Sequence, residues 1–226
     1  MTDVERGYPI RLTTLRAVTM FGVAALIAFV LLAYGVTHKG ALTAFDLRDL
    51  ARRQSTVTEA GQRFSVIVSL VGSPASMTLL AVFGALWLVW HRRILLLVSW
   101  ITAFAGANLL VVVFKRTIHR SRPVGAELFL HGASLSFPSG HALGSVVGFG
   151  MLTYLLALYG VKGEIRRTCL VVIAASIAGF VAYSRLYLGV HYMSDVIAGL
   201  ALGAVWLIIC VLAAEFAHRK RARRHA

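Results

Sequence analysis

Acidic side chains and cysteines are scarce in this chain. Only nine of its 226 residues are Asp or Glu, against 23 Lys and Arg, which gives a formal net charge of +14. The acids form no cluster and no HExxH-like spacing occurs, so the pattern does not indicate a metal site. Cys169 and Cys210 both lie in apolar stretches and form no CxxC pair. They are therefore expected to be small buried side chains and not a disulfide or metal site.

Long polar stretches are also lacking, because 58% of the residues are hydrophobic and the mean hydropathy is +0.78. Several apolar runs reach about 20 residues, the length that a transmembrane helix needs. Little sequence is left for a soluble domain, so we expect residues 1–226 to form one membrane domain. No cleavable signal peptide is evident, and the first apolar run is expected to stay in the protein as a transmembrane helix.

The positive charge does not indicate a nucleic-acid-binding protein. The cations are dispersed between the apolar runs and are not interleaved with aromatic side chains. This distribution is typical of positive-inside topology and of attraction to anionic lipids. We expect membrane lipids as partners and no nucleic acid, while nothing in the sequence indicates an oligomeric state.

Six apolar runs predict an all-α fold, an integral membrane bundle of six transmembrane helices. The runs cover residues 17–36, 64–90, 94–114, 141–159, 168–187 and 196–214. A Gly-Ser-Pro tripeptide at 72–74 interrupts the second run, which either begins near Phe64 with a kink or begins at Pro74 after a half-buried entry. No charged residue lies in the middle of a run, so a conduction pathway has little support.

Two further segments lie between and after these runs. Residues 37–63 are polar to amphipathic, and within them Leu47, Leu50 and Ala51 fall on one face of a helix. Such a helix fits either the membrane interface or a solvated loop. Residues 216–226 form a basic tail that is expected to be cytoplasmic.

Three polar stretches lie at the ends of the apolar runs, on one predicted side of the membrane. Residues 184–195 contain Arg185, His191 and Asp195. The last two are four residues apart and would share a face on a helix. A carboxylate beside an imidazole fixes its tautomer and stabilises its cationic form, and a nearby arginine binds anionic oxygens. This combination indicates a histidine prepared to attack phosphorus.

The other two stretches supply a candidate phosphate site. Residues 115–123 carry four cations within eight residues, typical of a phosphate clamp or of snorkelling side chains at a span end. Pro-Ser-Gly at 138–140 precedes the fourth run, where Ser139 is a candidate N-cap and the helix N-terminus an anion site. His141 follows directly. Together the stretches provide cations, an anion site and two histidines, which phosphoryl transfer requires.

This pattern resembles the type 2 phosphatidic acid phosphatase superfamily, whose three motifs match in residue type, order and spacing. The matching positions are Lys115, Arg122 and Pro123; Pro138, Ser139, Gly140 and His141; and Ser184, Arg185, His191 and Asp195. That superfamily includes lipid phosphate phosphatases, bacterial undecaprenyl pyrophosphate and phosphatidylglycerophosphate phosphatases, and glucose-6-phosphatases. Vanadium haloperoxidases share its site.

The resemblance implies a role for each catalytic position. His191 is implied to be the nucleophile that forms a phosphohistidine, and Asp195 the group that orients it. His141 is implied to protonate the leaving oxygen and then to activate water. The residues implied to bind the phosphate oxygens are Lys115, Arg122, Ser139, Gly140 and Arg185. No metal and no cofactor are implied.

Other polar residues near the motifs have weaker assignments. Arg116, His119 and Arg120 lie at variable positions of the first motif and receive no catalytic role. Glu127 and His131 follow in the same connection. These two either shape substrate choice or are solvated loop residues.

The distribution of cations orients the predicted bundle. With six spans both termini lie on the same side, which carries 13 of the 23 Lys and Arg residues. Five of the other ten belong to the motif stretches, which leaves only five further cations on that side. The asymmetry favours cytoplasmic termini in a bacterial inner membrane, with residues 37–63 and the active site facing the periplasm or exterior.

The motifs and the spans together predict a metal-independent membrane phosphatase. Its substrate would be a lipid phosphate monoester or pyrophosphate, such as phosphatidic acid, phosphatidylglycerophosphate or undecaprenyl pyrophosphate, and the motifs do not choose among them. Three alternatives stay open. A lipid phosphotransferase would use the same phosphohistidine, a haloperoxidase would hold vanadate in the same pocket, and a transporter subunit or scaffold would be non-catalytic.

Overall fold

A computed structural model describes residues 12–126, 135–161 and 163–224 of the chain. Within these ranges the fold consists of α-helices and contains no β-strand, so the predicted all-α class is confirmed. The helices are α1 (Leu12–Thr37), α2 (Ala41–Gln54), α3 (Glu59–Val71), α4 (Pro74–Trp90), α5 (Ile94–Ile118), α6 (Gly140–Tyr159), α7 (Glu164–Tyr187) and α8 (Met193–Arg224).

Six helical segments are long and apolar enough to cross a membrane, as predicted. Five are single helices, and the second joins α3 and α4 over 32 residues. At about 1.5 Å per residue this segment exceeds a hydrocarbon core of about 30 Å, so it extends beyond the core. The segment is broken where the Gly-Ser-Pro tripeptide predicted, since Gly72 ends α3 and Ser73 caps α4. Helical structure nevertheless begins at Glu59, earlier than either predicted start.

Helices α5 and α8 continue several residues past the C-terminal ends of their predicted apolar runs. The last turn of α5 includes Lys115 and Arg116, so the first motif begins on a helix. α8 continues to Arg224, and residues 216–224 of the predicted basic tail therefore belong to that helix. Residues 225–226 lie outside the described part.

The spans bury one face in the bundle and expose another apolar face. The core is formed mainly by α5, α6 and α8, where Trp100, Leu143 and Val147 are at most 1% exposed. On the outer faces of the bundle, Met20 is 73% exposed and Phe83 is 67% exposed. Exposed apolar surface of this extent is typical of contact with lipid, because the hydrocarbon core of a bilayer is itself apolar.

One of the two cysteines contradicts its prediction. Cys210 is buried in the core, as expected, but Cys169 is exposed on α7. The prediction was wrong for Cys169 because an apolar stretch that faces lipid has the same composition as one that faces a protein core.

The helix ends that carry the three motifs meet at one end of the bundle. The backbone N–H of Ser139 donates to the carbonyl of Asp195 at 2.9 Å, which joins the start of α6 to the start of α8. α2 and α3 dock at the same end. Arg53 donates to the carbonyl of Leu186, and Tyr187 Oη accepts from the backbone N–H of Thr58 at 3.1 Å. The short helices therefore lie directly beside the end of α7.

The helix predicted within residues 37–63 is α2, but its inward face differs from the apolar face of the sequence. Its buried residues are Asp46 and Leu50. Leu47 is 52% exposed and points away from the bundle. An exposed leucine on a helix beside the spans suits the membrane interface. The inward position of Asp46 brings a carboxylate to the end of the bundle where the three motifs meet.

α8 approaches α6 closely at Gly199 and Gly203. A Cβ on Gly199 would lie 2.6 Å from the carbonyl oxygen of Ser139, and one on Gly203 would lie 3.0 Å from that of Leu143. Small residues four positions apart allow membrane helices to pack backbone against backbone. Gly199 thereby sets the position of Ser139 at the start of α6.

We expect Gly199→Ala to lower both stability and activity. The added methyl group meets a backbone oxygen and not a flexible side chain, so α6 must shift, at a cost of about 1–3 kcal/mol. The melting temperature in detergent measures the first effect, and the rate of the phosphate release that the motif resemblance implies measures the second. Gly179→Ala is the matched control, because no atom lies within 4 Å of the added Cβ. Indistinguishable behaviour of the two variants contradicts the packing role of Gly199.

Candidate active site

His191 lies in the turn between α7 and α8, so the shared helix face that its spacing predicted does not form. The turn includes Gly189, whose φ of 66° is a conformation that glycine adopts without strain. Asp195 lies in the first turn of α8, and its Oδ2 is 3.5 Å from His191 Nδ1. The same Oδ2 accepts a hydrogen bond from the backbone N–H of Tyr192 at 3.0 Å. The turn therefore brings the imidazole to the carboxylate.

The contacts of His191 indicate which of its nitrogens carries the reactive lone pair. Nη1 of Arg122 lies 3.1 Å from His191 Nε2 and also donates to the carbonyl of Val190 at 2.8 Å. A guanidinium group only donates hydrogen bonds, so Nε2 is the acceptor and a neutral imidazole holds its proton on Nδ1, facing Asp195. The lone pair of Nε2 therefore points towards a cation.

The pKa of His191 is lowered to about 4, mainly by burial and further by the charges of Arg122 and Arg185. The neighbouring Asp195 carboxylate acts in the opposite direction. The side chain is almost fully buried, at 1% exposure. His191 is therefore neutral at physiological pH, which is the protonation state that a nucleophile requires. From sequence alone the balance between Asp195 and the surrounding cations was undecided.

The start of α6 offers polar groups to an anion. Ser139 occupies the predicted N-cap position, but its side chain makes no capping hydrogen bond. Its buried Oγ has no partner among the described residues. An unsatisfied buried hydroxyl costs about 1–3 kcal/mol, a cost that a bound ligand removes. The first N–H groups of the helix, beginning at Gly140, add donors and a positive dipole end.

Two further cations join Arg122 at this end of the bundle. Arg185 is 4% exposed, donates from Nη1 to Ser69 Oγ on α3, and has an Nε without a partner in the described ranges. Lys115 lies within electrostatic range of Arg122, Arg185 and Asp195. Because the three cations repel one another, the pocket favours an anionic ligand with several oxygens.

His141 shares this pocket with His191. As the second residue of α6, it interacts electrostatically with His191 and with all three cations. The structure thus brings together the whole predicted set of site residues, whose individual roles remain predictions. The set consists of Lys115, Arg122, Ser139, Gly140, His141, Arg185, His191 and Asp195.

A second network behind Asp195 was missed from the sequence. Nη1 of Arg120 donates to Asp195 Oδ1 at 2.7 Å and to Ser194 Oγ at 2.6 Å, while its Nη2 donates to Asp46 Oδ2 at 2.7 Å. Ser194 in turn donates to Asp46 from its backbone N–H at 3.1 Å and from its Oγ at 2.5 Å. The guanidinium carbon of Arg120 lies 4.1 Å from the ring centre of Tyr192. Arg120 is therefore enclosed by two carboxylates and an aromatic face.

A weak sequence signal for this network exists. Residues 115–123 concentrate four cations, and cations that become buried need nearby counter-charges. Asp46 is one of only nine acids in the chain and lies at the same predicted side of the membrane. Ser69, the partner of Arg185, has no comparable signal, because isolated serines occur throughout the apolar runs.

The remaining residues singled out from the sequence lie away from the pocket or outside the described ranges. Arg116 and His119 are exposed, and His119 ends α5 with a φ of 50°. Glu127 and His131 fall outside the described residues. Within the described part of the chain, no group of three or more His, Cys, Asp or Glu side chains is placed to hold a metal ion.

Known proteins share both the sequence pattern and the fold. The family model of the PAP2 superfamily matches residues 95–219, which is more than half of the chain and includes all three motifs. The chain belongs to the PAP2 superfamily. The resemblance that the motifs indicated is therefore confirmed.

Individual relatives of this PAP2 protein are phosphatases. The solved PAP2-type phosphatidylglycerolphosphate phosphatase of Bacillus subtilis matches with a TM-score of 0.74 at 26% identity, over 84% of this chain and 93% of that chain. Phosphatidylglycerophosphatase B of Bacillus subtilis is 37% identical over 50% of this chain and 53% of its own length. Decaprenylphosphoryl-5-phosphoribose phosphatase of Mycobacterium tuberculosis is 32% identical over 65% of this chain and 75% of its own length. The chain thus spans only about half the length of phosphatidylglycerophosphatase B.

Proposed function

We propose that this PAP2 protein is an integral membrane phosphatase that hydrolyses a lipid phosphate monoester or pyrophosphate through a phosphohistidine on His191. One observation carries the proposal: a buried neutral imidazole directs its Nε2 lone pair towards Arg122, in a pocket with two further cations. Such a pocket neutralises the charge of a phosphoryl group and presents a nucleophile to phosphorus. The unpartnered Ser139 hydroxyl and the N-terminus of α6 supply donors for the remaining oxygens.

In the first proposed step, Arg122 turns its donor from Nε2 of His191 to an oxygen of the bound phosphate, which frees the Nε2 lone pair. Nε2 then forms a bond to phosphorus as the bond from phosphorus to the leaving oxygen breaks. The leaving oxygen takes the electron pair of that bond and a proton from His141. His191 becomes a phosphorylated imidazolium, whose charge the Asp195 carboxylate stabilises from the Nδ1 side. Lys115 and Arg185 neutralise the charge of the transferring phosphoryl oxygens.

In the second proposed step, water displaces His191 from phosphorus. His141, now neutral, takes a proton from the attacking water, whose oxygen bonds to phosphorus. The P–N bond breaks, its electron pair returns to His191, and inorganic phosphate leaves. Both histidines regain their initial protonation states. Neither step uses a metal ion, which makes activity in the presence of a chelator part of the proposal.

A lipid substrate fits the position of the pocket at the ends of the spans. The acyl or isoprenoid tail stays among the exposed apolar faces of the helices, while the phosphate enters the cationic pocket. The relatives are named as phosphatases of phosphatidylglycerophosphate and of decaprenylphosphoryl-5-phosphoribose, and both substrates carry a phosphate on a lipid. Substrates of this class are therefore proposed here too.

The proposed orientation places the pocket at the periplasmic or outer surface of a bacterial inner membrane, with cytoplasmic termini. Support comes from the distribution of Lys and Arg outside the motifs, which favours the terminal side. An accessibility assay tests this. A single Cys introduced at the exposed Val124, in a background where Cys169 and Cys210 are Ser, should react with a membrane-impermeant maleimide in intact cells. Labelling only after the cells are opened contradicts the orientation.

A lipid-panel assay tests the proposed activity. Purified protein in detergent is incubated with phosphatidic acid, phosphatidylglycerophosphate or undecaprenyl pyrophosphate, with EDTA present and an alcohol acceptor in a parallel reaction. We expect inorganic phosphate from at least one lipid, little release from glycerol 3-phosphate, and no effect of EDTA. Absence of release from every lipid contradicts the phosphatase, and phosphate transferred mainly to the alcohol indicates a phosphotransferase. Loss of activity with EDTA contradicts the metal-independent steps.

A further inference from the structure

Arg120 is a buried cation that cannot serve the phosphate pocket, because its terminal nitrogens are directed elsewhere. Its side chain is 10% exposed. Nη1 is engaged by Asp195 and Ser194, and Nη2 by Asp46. The two acids and Ser194 are each at most 1% exposed. An arginine held this completely by protein groups acts through those groups and not through a ligand.

The contacts of Arg120 connect it directly to the nucleophile. Asp195 uses Oδ2 towards His191 and Oδ1 towards Arg120. The rotation of the Asp195 carboxylate therefore cannot change without breaking the bond to Arg120. Asp46 fixes Arg120 from its other side, and Asp46 belongs to α2, a helix outside the motifs.

We propose that Asp46 and Arg120 are positioning residues for the reaction: Arg120 holds the Asp195 oxygen that faces away from His191, and Asp46 on α2 holds Arg120. This inference rests on the proposed nucleophilic role of His191. It assigns α2 a function in catalysis, since docking of that helix completes the chain of contacts from Asp46 to the imidazole. The two residues also tune the charge next to the nucleophile, because one is an anion and the other a cation.

The two residues are expected to have opposite effects on the protonation of His191. Loss of the Arg120 cation leaves the Asp195 charge uncompensated, which favours the imidazolium and moves the acidic limb of kcat/KM to higher pH. Loss of the Asp46 anion strengthens the action of Arg120 on Asp195 and moves that limb to lower pH. The other titratable groups that face His191 stay constant between variants. They are Arg122 from the connection after α5, His141 from α6 and Arg185 from α7, while Lys115 of α5 acts on His141.

The test measures kcat/KM of Asp46→Asn, Arg120→Gln and wild type between about pH 4 and 8. Each variant is expressed as its ratio to wild type, because the ionisation of the substrate then cancels. We expect kcat to fall about 10-fold for Asp46→Asn and about 100-fold for Arg120→Gln, with smaller changes in KM. Towards low pH the ratio should rise for Asp46→Asn and fall for Arg120→Gln. The double variant should lose about as much as Arg120→Gln alone, because both substitutions act on one network.

Two controls separate positioning from folding. Asp49→Asn removes a carboxylate from the same helix. Asp49 Oδ2 pairs with Arg53 Nη2 at a distance of 2.5 Å and takes no part in the contacts of His191. It should change stability without changing the pH profile. Arg120→Lys keeps the charge and should restore a flat ratio across pH even if kcat stays low. If Arg120→Gln does not fold, the pH profiles of Arg120→Lys and Asp46→Asn are sufficient for the test.

The outcomes distinguish this inference from the proposed function. Wild-type protein without phosphatase activity contradicts the proposed function itself. Active wild-type protein with flat ratios for both Asp46→Asn and Arg120→Gln contradicts the positioning role. The positioning role is also contradicted if Asp49→Asn reproduces the kinetic effects of Asp46→Asn, because the network then only holds α2 in place.

Discussion

Replacing His191 with Asn is expected to abolish lipid phosphate hydrolysis, with kcat at least about 10⁴-fold below wild type. The amide nitrogen of Asn takes the position of Nδ1 and keeps a donor towards Asp195. Nothing in Asn corresponds to Nε2, the atom that faces Arg122 in the pocket. The variant therefore removes the nucleophile while keeping a donor beside Asp195, and steady-state phosphate release in detergent measures the loss.

His119→Asn is the matched control for this experiment. His119 belongs to the same motif stretch as the phosphate-binding residues but is exposed, and its φ of 50° is a conformation that Asn tolerates. Its activity should stay within about 2-fold of wild type, as for a surface substitution. If His191→Asn folds and retains more than about one-hundredth of wild-type kcat, another group is the nucleophile.

Replacing His141 with Ala should produce a loss that depends on the leaving group. A lipid alkoxide leaves only with a proton, so kcat for a lipid phosphate is expected to fall about 10³-fold without the acid. p-Nitrophenolate leaves without protonation, so the first step with p-nitrophenyl phosphate should be far less affected. The second step still lacks its base. Stopped-flow measurements should therefore show a burst of p-nitrophenolate equal to the enzyme concentration, followed by slow turnover.

The control for this variant is His91→Ala, at the opposite end of the bundle. His91 is exposed and stacks on Trp87, and its replacement should leave both substrates nearly unaffected. Equal losses for the lipid and for p-nitrophenyl phosphate, with no burst, contradict the acid and base roles of His141. Those roles would then belong to another group or to water.

The features that could be predicted from sequence are those that depend on local pattern. The six apolar runs fix the spans, because any run of that length must satisfy its backbone within a helix in the bilayer. The motif residues carry recognisable chemistry at short spacing, so the pocket around His191 could be anticipated. The break in the second span was also visible, since Gly72 and Pro74 interrupt a helix regardless of what surrounds it.

The features that were missed depend on how distant segments rotate and pack. Asp46 is 74 residues from Arg120, and Ser69 is 116 residues from Arg185. Neither contact leaves a periodic signal, because it is set by which face of α2 or α3 turns inward. The same uncertainty made the predicted burial of Cys169 wrong, since lipid and protein cores favour the same side chains.

Trapping the covalent intermediate tests the central claim most directly. Protein carrying His141→Ala is mixed with ³²P-labelled p-nitrophenyl phosphate, whose leaving group needs no proton. The reaction is quenched in alkali, which preserves phosphohistidine, and the protein is digested for mass spectrometry. Label on the peptide that contains His191, stoichiometric with enzyme and absent when His191→Asn is added to the variant, is the predicted result. Label that persists in the double variant, or rapid turnover without any labelled protein, contradicts a phosphohistidine on His191.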